Sequence, residues 1–169
     1  MSAVAVVPVG MAAAFALQAP VAAAAPAASA GQAAVTRLTT VSQPSTLAAV
    51  RHRHHKARRL RAYAWARRRA GHPYVYGGTG PGYDCSGLVM MAYRHAGIRL
   101  PRTTGEMLAS SKLVRVRHPQ MGDLAFYGSG HVELFRKWGY TFGAHDYGSP
   151  VSLIHYGYGW KPTAFYRVR

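Results

Sequence analysis

The sequence of 169 residues contains very little cysteine and very little acid. Its one cysteine, Cys85, excludes a disulfide within the chain. Five aspartate and glutamate residues stand against 21 lysines and arginines, which gives a formal net charge of +16. This imbalance predicts attraction to a polyanion such as nucleic acid, an anionic membrane or an acidic cell-wall polymer, and charge alone does not choose among them.

Charged side chains are also absent from residues 1–36, which are mainly alanine and valine interrupted by prolines. Those prolines and so much alanine make a poor membrane-spanning helix. The stretch resembles a secretory signal peptide, with small residues at 23–25 and 28–30 as candidate cleavage sites, although no lysine or arginine opens it. We therefore expect residues 1–30 to be a signal peptide and the protein to be secreted.

The next part of the chain is polar and then strongly basic. Residues 31–56 are rich in threonine, serine and glutamine before the basic run begins, which predicts a disordered basic linker. Nine of the 21 basic residues lie in 51–69, and the second half of that run has helical spacing. We predict a helix over 58–70, with its apolar stripe on the domain and its arginines in solvent.

Three histidines in the basic run raise the question of a metal site. His52, His54 and His55 have no cysteine or acid near them in the sequence, so a metal site is not expected there. No cofactor motif is present elsewhere, and we expect the protein to need neither a metal nor a cofactor.

Residues 57–169 have the pattern of one α+β domain. Residues 85–96 carry apolar side chains at helical spacing and are followed by Gly97, which predicts a second helix. From about residue 112 the apolar period shortens to two, in the segments KLVRV, DLAFYG, HVELF, YTFGAH, VSLIHY and AFYRV. This order predicts helices packed on one side of an antiparallel sheet of five or six strands.

Cys85 lies where a cysteine would be reactive. Asp84 can cap the second helix, so Cys85 falls in the first turn, where unpaired N–H groups and the helix dipole favour a thiolate. The alternative is a buried cysteine acting as a small hydrophobe. The polar turn around Cys85 argues against that alternative.

A cysteine nucleophile needs a base, and His131 has the best context among the nine histidines. It opens the strand HVELF directly after the turn 128–130. A third group should orient its imidazole, and His145 is the natural candidate if the two strands pair as a hairpin. Glu133 is the alternative, from a strand position about 6 to 7 Å away.

Four segments in family order resemble the NlpC-type bacterial cysteine peptidases. They are DCSGL, LPRT, GDL and the glycine-preceded HV, and the resemblance covers residues 58–169. It implies a small papain-like fold with Cys85 as nucleophile, His131 as base and His145 as the third residue. It also implies substrate contacts at Tyr76, Asp84 and Ser86, with a helix cap alone as the alternative for Asp84. Arg102 is a further candidate groove contact, and its alternative is a surface ion pair.

The chain departs from the family pattern in two places. The family usually has its third polar residue twelve positions after the base, and that position is Gly143 here. His145 lies two residues further on with the same strand parity. The family's HVG is HVE in this chain, which puts the charge of Glu133 near the groove.

The resemblance implies a secreted or wall-associated peptidoglycan hydrolase that acts as a monomer. Its partners would be peptidoglycan stem peptides, cleaved between D-γ-glutamyl and a diamino acid, and anionic cell-wall polymers, but not nucleic acid. A binding module on the same fold, with little or no catalysis, is the alternative. A third hypothesis keeps the thiol but changes the reaction, to another wall amide or to acyl transfer.

Overall fold

The structure is a computed structural model that describes residues 46–157 and 159–169. The predicted signal peptide, residues 1–30, and the linker up to residue 45 lie outside the described residues. Helix α1 spans Thr46–Arg67, so residues 46–56 are helical and the prediction of a disordered linker is wrong there. The physical reason is composition, since α1 contains no glycine or proline and is rich in alanine and arginine, which are strong helix formers.

Helix α1 buries one side and exposes most of its positive charge. Tyr63, Trp65 and Ala66 of the predicted apolar stripe are buried in the core, together with Ala62. Leu60 and Ala70, which the same stripe included, are exposed. Arg59 is the exception among the arginines, because it is only 5% exposed. Its guanidinium donates to the carbonyl of Met121 and to Gln120, and pairs with Asp123.

Two further helices follow. Helix α2 spans Cys85–His95, close to the predicted 85–96, and Gly97 follows it with a positive φ of 81°. Helix α3, Thr104–Ala109, was not predicted. The sequence signal for this helix is the capping box formed by Thr103 and Glu106, but the helix is only six residues long. No helix in the described ranges is both long and apolar enough to cross a membrane.

The sheet confirms the predicted α+β architecture. Its six strands are antiparallel in the order β1-β6-β2-β3-β4-β5. Their bounds are β1 Leu113–Arg115, β2 Leu124–Tyr127, β3 His131–Lys137, β4 Tyr140–Gly143, β5 Ser152–His155 and β6 Ala164–Val168. Helix α2 packs on β3, and α1 packs beside α2. This arrangement brings the first turn of α2 to the beginning of β3.

Candidate active site

The first turn of α2 is built as the sequence predicted. Asp84 has extended backbone and caps the helix, with its Oδ1 accepting from the N–H of Gly87 at 2.6 Å. Gly87 is required by close packing, because a Cβ there would lie 2.1 Å from the carbonyl oxygen of Gly78. The glycine-rich loop is therefore held against the first turn of the helix, two residues after Cys85.

Cys85 and His131 meet across the interface between α2 and β3. Cys85 is 7% exposed, and the His131 side chain lies close enough to its thiol to act on the thiol pKa. Burial by itself would raise the pKa of Cys85, but the bond and charge of His131, with the backbone N–H of Val132, bring the pKa below its ordinary value. The pKa of His131 rises to about 9: burial opposes the rise, and Cys85 and Glu133 cause it. The pair therefore favours a thiolate beside an imidazolium.

Glu133 is the residue in direct contact with the far side of the His131 ring. Its Oε1 lies 2.9 Å from His131 Nε2, which leaves Nδ1 for the thiol. The carboxylate is completely buried. Burial would raise its pKa, but hydrogen bonds from His131, His145 and Thr141 lower the pKa to about 2. Sequence reasoning set Glu133 second because of its strand position, yet its side chain spans that distance.

His145 lies beside this pair but does not hydrogen-bond to the other histidine. Its Nδ1 is 3.0 Å from the same Oε1 of Glu133, and the two imidazole rings are edge to face with centroids 5.5 Å apart. The predicted orienting contact from His145 to His131 is thus replaced by one from Glu133. His145 instead contacts the Glu133 oxygen that His131 also contacts.

Three residues that sequence reasoning did not single out complete the surroundings. The hydroxyls of Tyr127 and Thr141 bond to Oε2 of Glu133. The Trp160 indole stacks on the Tyr127 ring at 4.6 Å and contacts both imidazoles edge to face. Two features point to Tyr127 as a neighbour of the site. They are its position in the alternating pattern of β2 and the pairing of β2 with β3, which sets Tyr127 opposite His131.

A groove of about 440 Å³ opens over Cys85. All four predicted substrate contacts line it: Tyr76, Asp84, Ser86 and Arg102. Arg102 forms a two-pronged ion pair with Asp84, with its Nη2 at 2.6 Å from Oδ2, and donates to the Ser86 hydroxyl at 2.9 Å. Tyr76 is 77% exposed, so its ring is free to contact a ligand.

Two imidazoles and a carboxylate also form a donor set that zinc accepts. The ligand atoms of His131, Glu133 and His145 lie within 4.8 Å of one another. The separations from Oε1 of Glu133 to the two ring nitrogens, 2.9 and 3.0 Å, are those of direct hydrogen bonds. The arrangement is therefore accounted for by hydrogen bonding.

Comparison with known proteins agrees with the fold. A model of the NlpC/P60 family matches residues 71–166. The chain is 36% identical over 110 residues to the bifunctional muramidase/DL-endopeptidase CwlT of Bacillus subtilis, covering 59% of this chain and 33% of that protein. It is 41% identical over 102 residues to the probable endopeptidase p60 of Listeria seeligeri, covering 57% and 19%.

Solved structures give the same result. The P60 domain of antigen MAP1272c from M. avium paratuberculosis aligns with a TM-score of 0.60 and 25% identity, over 71% of this chain and 99% of that one. The NlpC/p60 domain of the peptidoglycan hydrolase SagA aligns with a TM-score of 0.55 and 26% identity, over 66% and 97%. The chain thus covers the two isolated domains almost completely. It spans a third or less of the length of the two curated relatives.

Proposed function

Because this chain belongs to the NlpC/P60 family, we propose that it is a cysteine peptidase that hydrolyses peptidoglycan, with Cys85 as nucleophile and His131 as acid and base. The observation that carries the proposal is the interaction of the His131 side chain with the thiol of Cys85, a residue that lines an open groove. A cysteine that served only to pack the core would need neither a histidine partner nor access from solvent.

The geometry supports acyl transfer to the thiol. The Cys85 thiolate would attack the scissile carbonyl carbon, and the resulting oxyanion would be bound by N–H groups of the first turn of α2. His131 would then give its proton to the leaving amine as the C–N bond breaks, which leaves a thioester on Cys85. In the second half, His131 would take a proton from water, the hydroxide would attack the thioester, and the acid product would leave with the thiolate restored.

For the substrate, we propose the stem-peptide bond between D-γ-glutamyl and a diamino acid. The Arg102–Asp84 ion pair lies at the wall of the groove and is partly exposed, so it offers a polar contact to a peptide. Secretion by way of a signal peptide at residues 1–30 belongs to the same proposal, since the substrate lies outside the membrane. The proposal includes no cofactor, and it treats the domain as a monomer.

Anionic wall polymers are proposed as a second partner. Arg51, Arg53 and Lys56 are exposed along α1, and Arg67 and Arg68 extend the positive charge to its end. Such a surface attracts a polyanion in a salt-dependent way. If binding were the whole function, it would survive the loss of the thiol.

The test is digestion of purified peptidoglycan by the protein and by Cys85→Ala, with the released fragments identified by mass spectrometry. We expect new fragments ending in γ-glutamate from the wild type and none from Cys85→Ala. Equal digestion by both would contradict the assignment of Cys85. Intact peptidoglycan in both samples, with salt-sensitive binding, would support the binding module instead.

A further inference from the structure

We propose that the residue that orients His131 has changed strands in this chain: Glu133 on β3 supplies the carboxylate, and Gly143 on β4 is the vacancy that accommodates it. The inference rests on the proposed function in one respect only, the identity of His131 as the base. It concerns a positioning residue, since Glu133 acts on the reaction through His131.

The register of β3 and β4 places the two positions opposite each other. Leu134 pairs with Phe142 and Phe135 with Thr141. Continued toward the site, the same register sets Gly143 opposite Glu133. Position 143 is also the one, twelve residues after the base, where the resemblance leads one to expect the third polar residue. In this chain the acid is Glu133, at the position of β3 opposite Gly143.

At the paired positions 133 and 143 there is room for only one side chain. A Cβ added to Gly143 would lie 2.7 Å from Cγ and 3.2 Å from Cβ of Glu133, inside any normal carbon contact. The backbone gives no other reason for glycine, because Gly143 is not among the glycines with positive φ. Glycine at 143 is therefore explained by the side chain at 133.

The contacts hold the carboxylate in a fixed position. Oε1 accepts from Nε2 of His131 and Nδ1 of His145, and Oε2 accepts from the hydroxyls of Tyr127 and Thr141. With both oxygens doubly engaged and no exposed surface, the carboxylate has no room to turn. It fixes the ring of His131 with Nδ1 toward Cys85 and stabilises the imidazolium form.

His145 has a defined part in this arrangement. The same register continued by two residues sets it opposite His131. From there it donates to the oxygen that His131 also uses. Its position is that of a neighbour that holds Glu133, and it does not need to touch the base.

The test compares Glu133→Gln, Glu133→Gly and the exchange variant Glu133→Gly with Gly143→Glu. The first measurement is the rate of Cys85 alkylation by iodoacetamide against pH, which needs no peptidoglycan. In Glu133→Gln we expect the alkylation midpoint to move to higher pH, because His131 without the carboxylate is protonated less often and the thiolate loses its cationic partner. The second measurement is kcat/KM for peptidoglycan fragments.

For kcat/KM we expect Glu133→Gly to lose about 10²-fold or more. The exchange variant should regain at least about tenfold of that loss, because it returns a carboxylate to the same pair of positions. Asp146→Asn is the matched control: it removes an exposed acid beyond β4 and should leave both measurements within about twofold.

An alkylation midpoint unchanged in Glu133→Gln would overturn the proposal, because it would show that Glu133 has no influence on the ionisation of Cys85 through His131. An exchange variant that is folded, as judged by circular dichroism, and no more active than Glu133→Gly would overturn the role of Gly143. If the wild type cleaves no peptidoglycan, the proposed function fails. The alkylation profile then still decides the role of Glu133.

Discussion

Two buried carboxylates, Asp123 and Glu133, differ in the partners that surround them. Asp123 precedes β2 and is completely buried. Arg167 of β6 donates to both of its oxygens at 3.0 and 2.6 Å, and Arg59 of α1 lies 3.5 Å away. Asp123 thus links helix α1 and strand β6 to the start of β2. Because arginine keeps its charge throughout the range in which histidine titrates, this cluster is permanent.

Glu133 is equally buried, but its charged partners are histidines. Histidine can gain or lose a proton near neutral pH, and the pKa of His131 also depends on the neighbouring thiol of Cys85. A buried carboxylate therefore holds elements of the fold together at Asp123, whose partners are permanent cations, whereas at Glu133 it contacts groups that titrate and that we propose to be reactive. Three predictions test this contrast, from the largest expected effect to the smallest, and a fourth concerns the exposed charge of α1.

The first prediction concerns Asp123. Asp123→Ala should lower the free energy of unfolding by about 3–5 kcal/mol, because it leaves Arg59 charged, buried and without its acid. Glu133→Gln should cost less than about 2 kcal/mol, since histidine can become neutral and an amide still hydrogen-bonds. Urea denaturation of both variants measures the difference. Equal losses would remove the contrast between the two sites.

The second prediction concerns the space beside Glu133. Gly143→Ala should destabilise the domain by about 1–3 kcal/mol, because its Cβ would collide with the Glu133 side chain. Gly105→Ala is the control, since a Cβ there meets nothing within 4 Å and the residue is in helix α3. That change should be neutral or slightly stabilising. Thermal melting separates the two, and an unaffected Gly143→Ala variant would contradict the packing argument.

The third prediction is the pH dependence of kcat/KM. His131 faces Cys85, Glu133, His145 and Tyr127, and its pKa is raised to about 9. Since the imidazolium must protonate the leaving amine, activity should hold up to about pH 9 and then fall about tenfold per pH unit. Burial raises the pKa of Tyr127 above its usual value, so the tyrosine does not produce this fall.

In Glu133→Gln, the alkaline fall should begin at lower pH, because the carboxylate no longer favours the charged ring. The acid limb of the wild-type profile should have its midpoint below the ordinary pKa of a thiol, because the pKa of Cys85 is lowered. An alkaline limb that stays at the same pH in Glu133→Gln would argue against electrostatic support of His131.

The fourth and smallest effect concerns the exposed charge of α1. Replacing Arg51 and Arg53 by glutamine should change the free energy of unfolding by less than about 0.5 kcal/mol, because both are solvent-exposed. Retention on anionic wall polymer should nevertheless weaken and become less sensitive to salt. Co-sedimentation at two salt concentrations measures this. Unchanged retention would place the polymer-binding surface elsewhere.

Local patterns were sufficient for much of the fold. The helix after Asp84 was predicted because a cap, an apolar spacing and a terminal glycine all lie within fourteen residues. The six strands were predicted because their alternation is short-range. The start of α1 was misplaced, because polar and basic residues 46–56 suggest disorder, while their helix propensity and the docking of the following turns favour helix.

The sequence by itself determined the α+β architecture, the position of Cys85 in the first turn of a capped helix and the choice of His131 as its partner. Each follows from neighbours in the chain or from motifs in a fixed order. Only the tertiary structure decided which group touches the far side of His131. Glu133 reaches Nε2 because the register of β3 and β4 sets it opposite a glycine, where its side chain has room. Register and free volume arise from pairing between strands, and no local pattern specifies them.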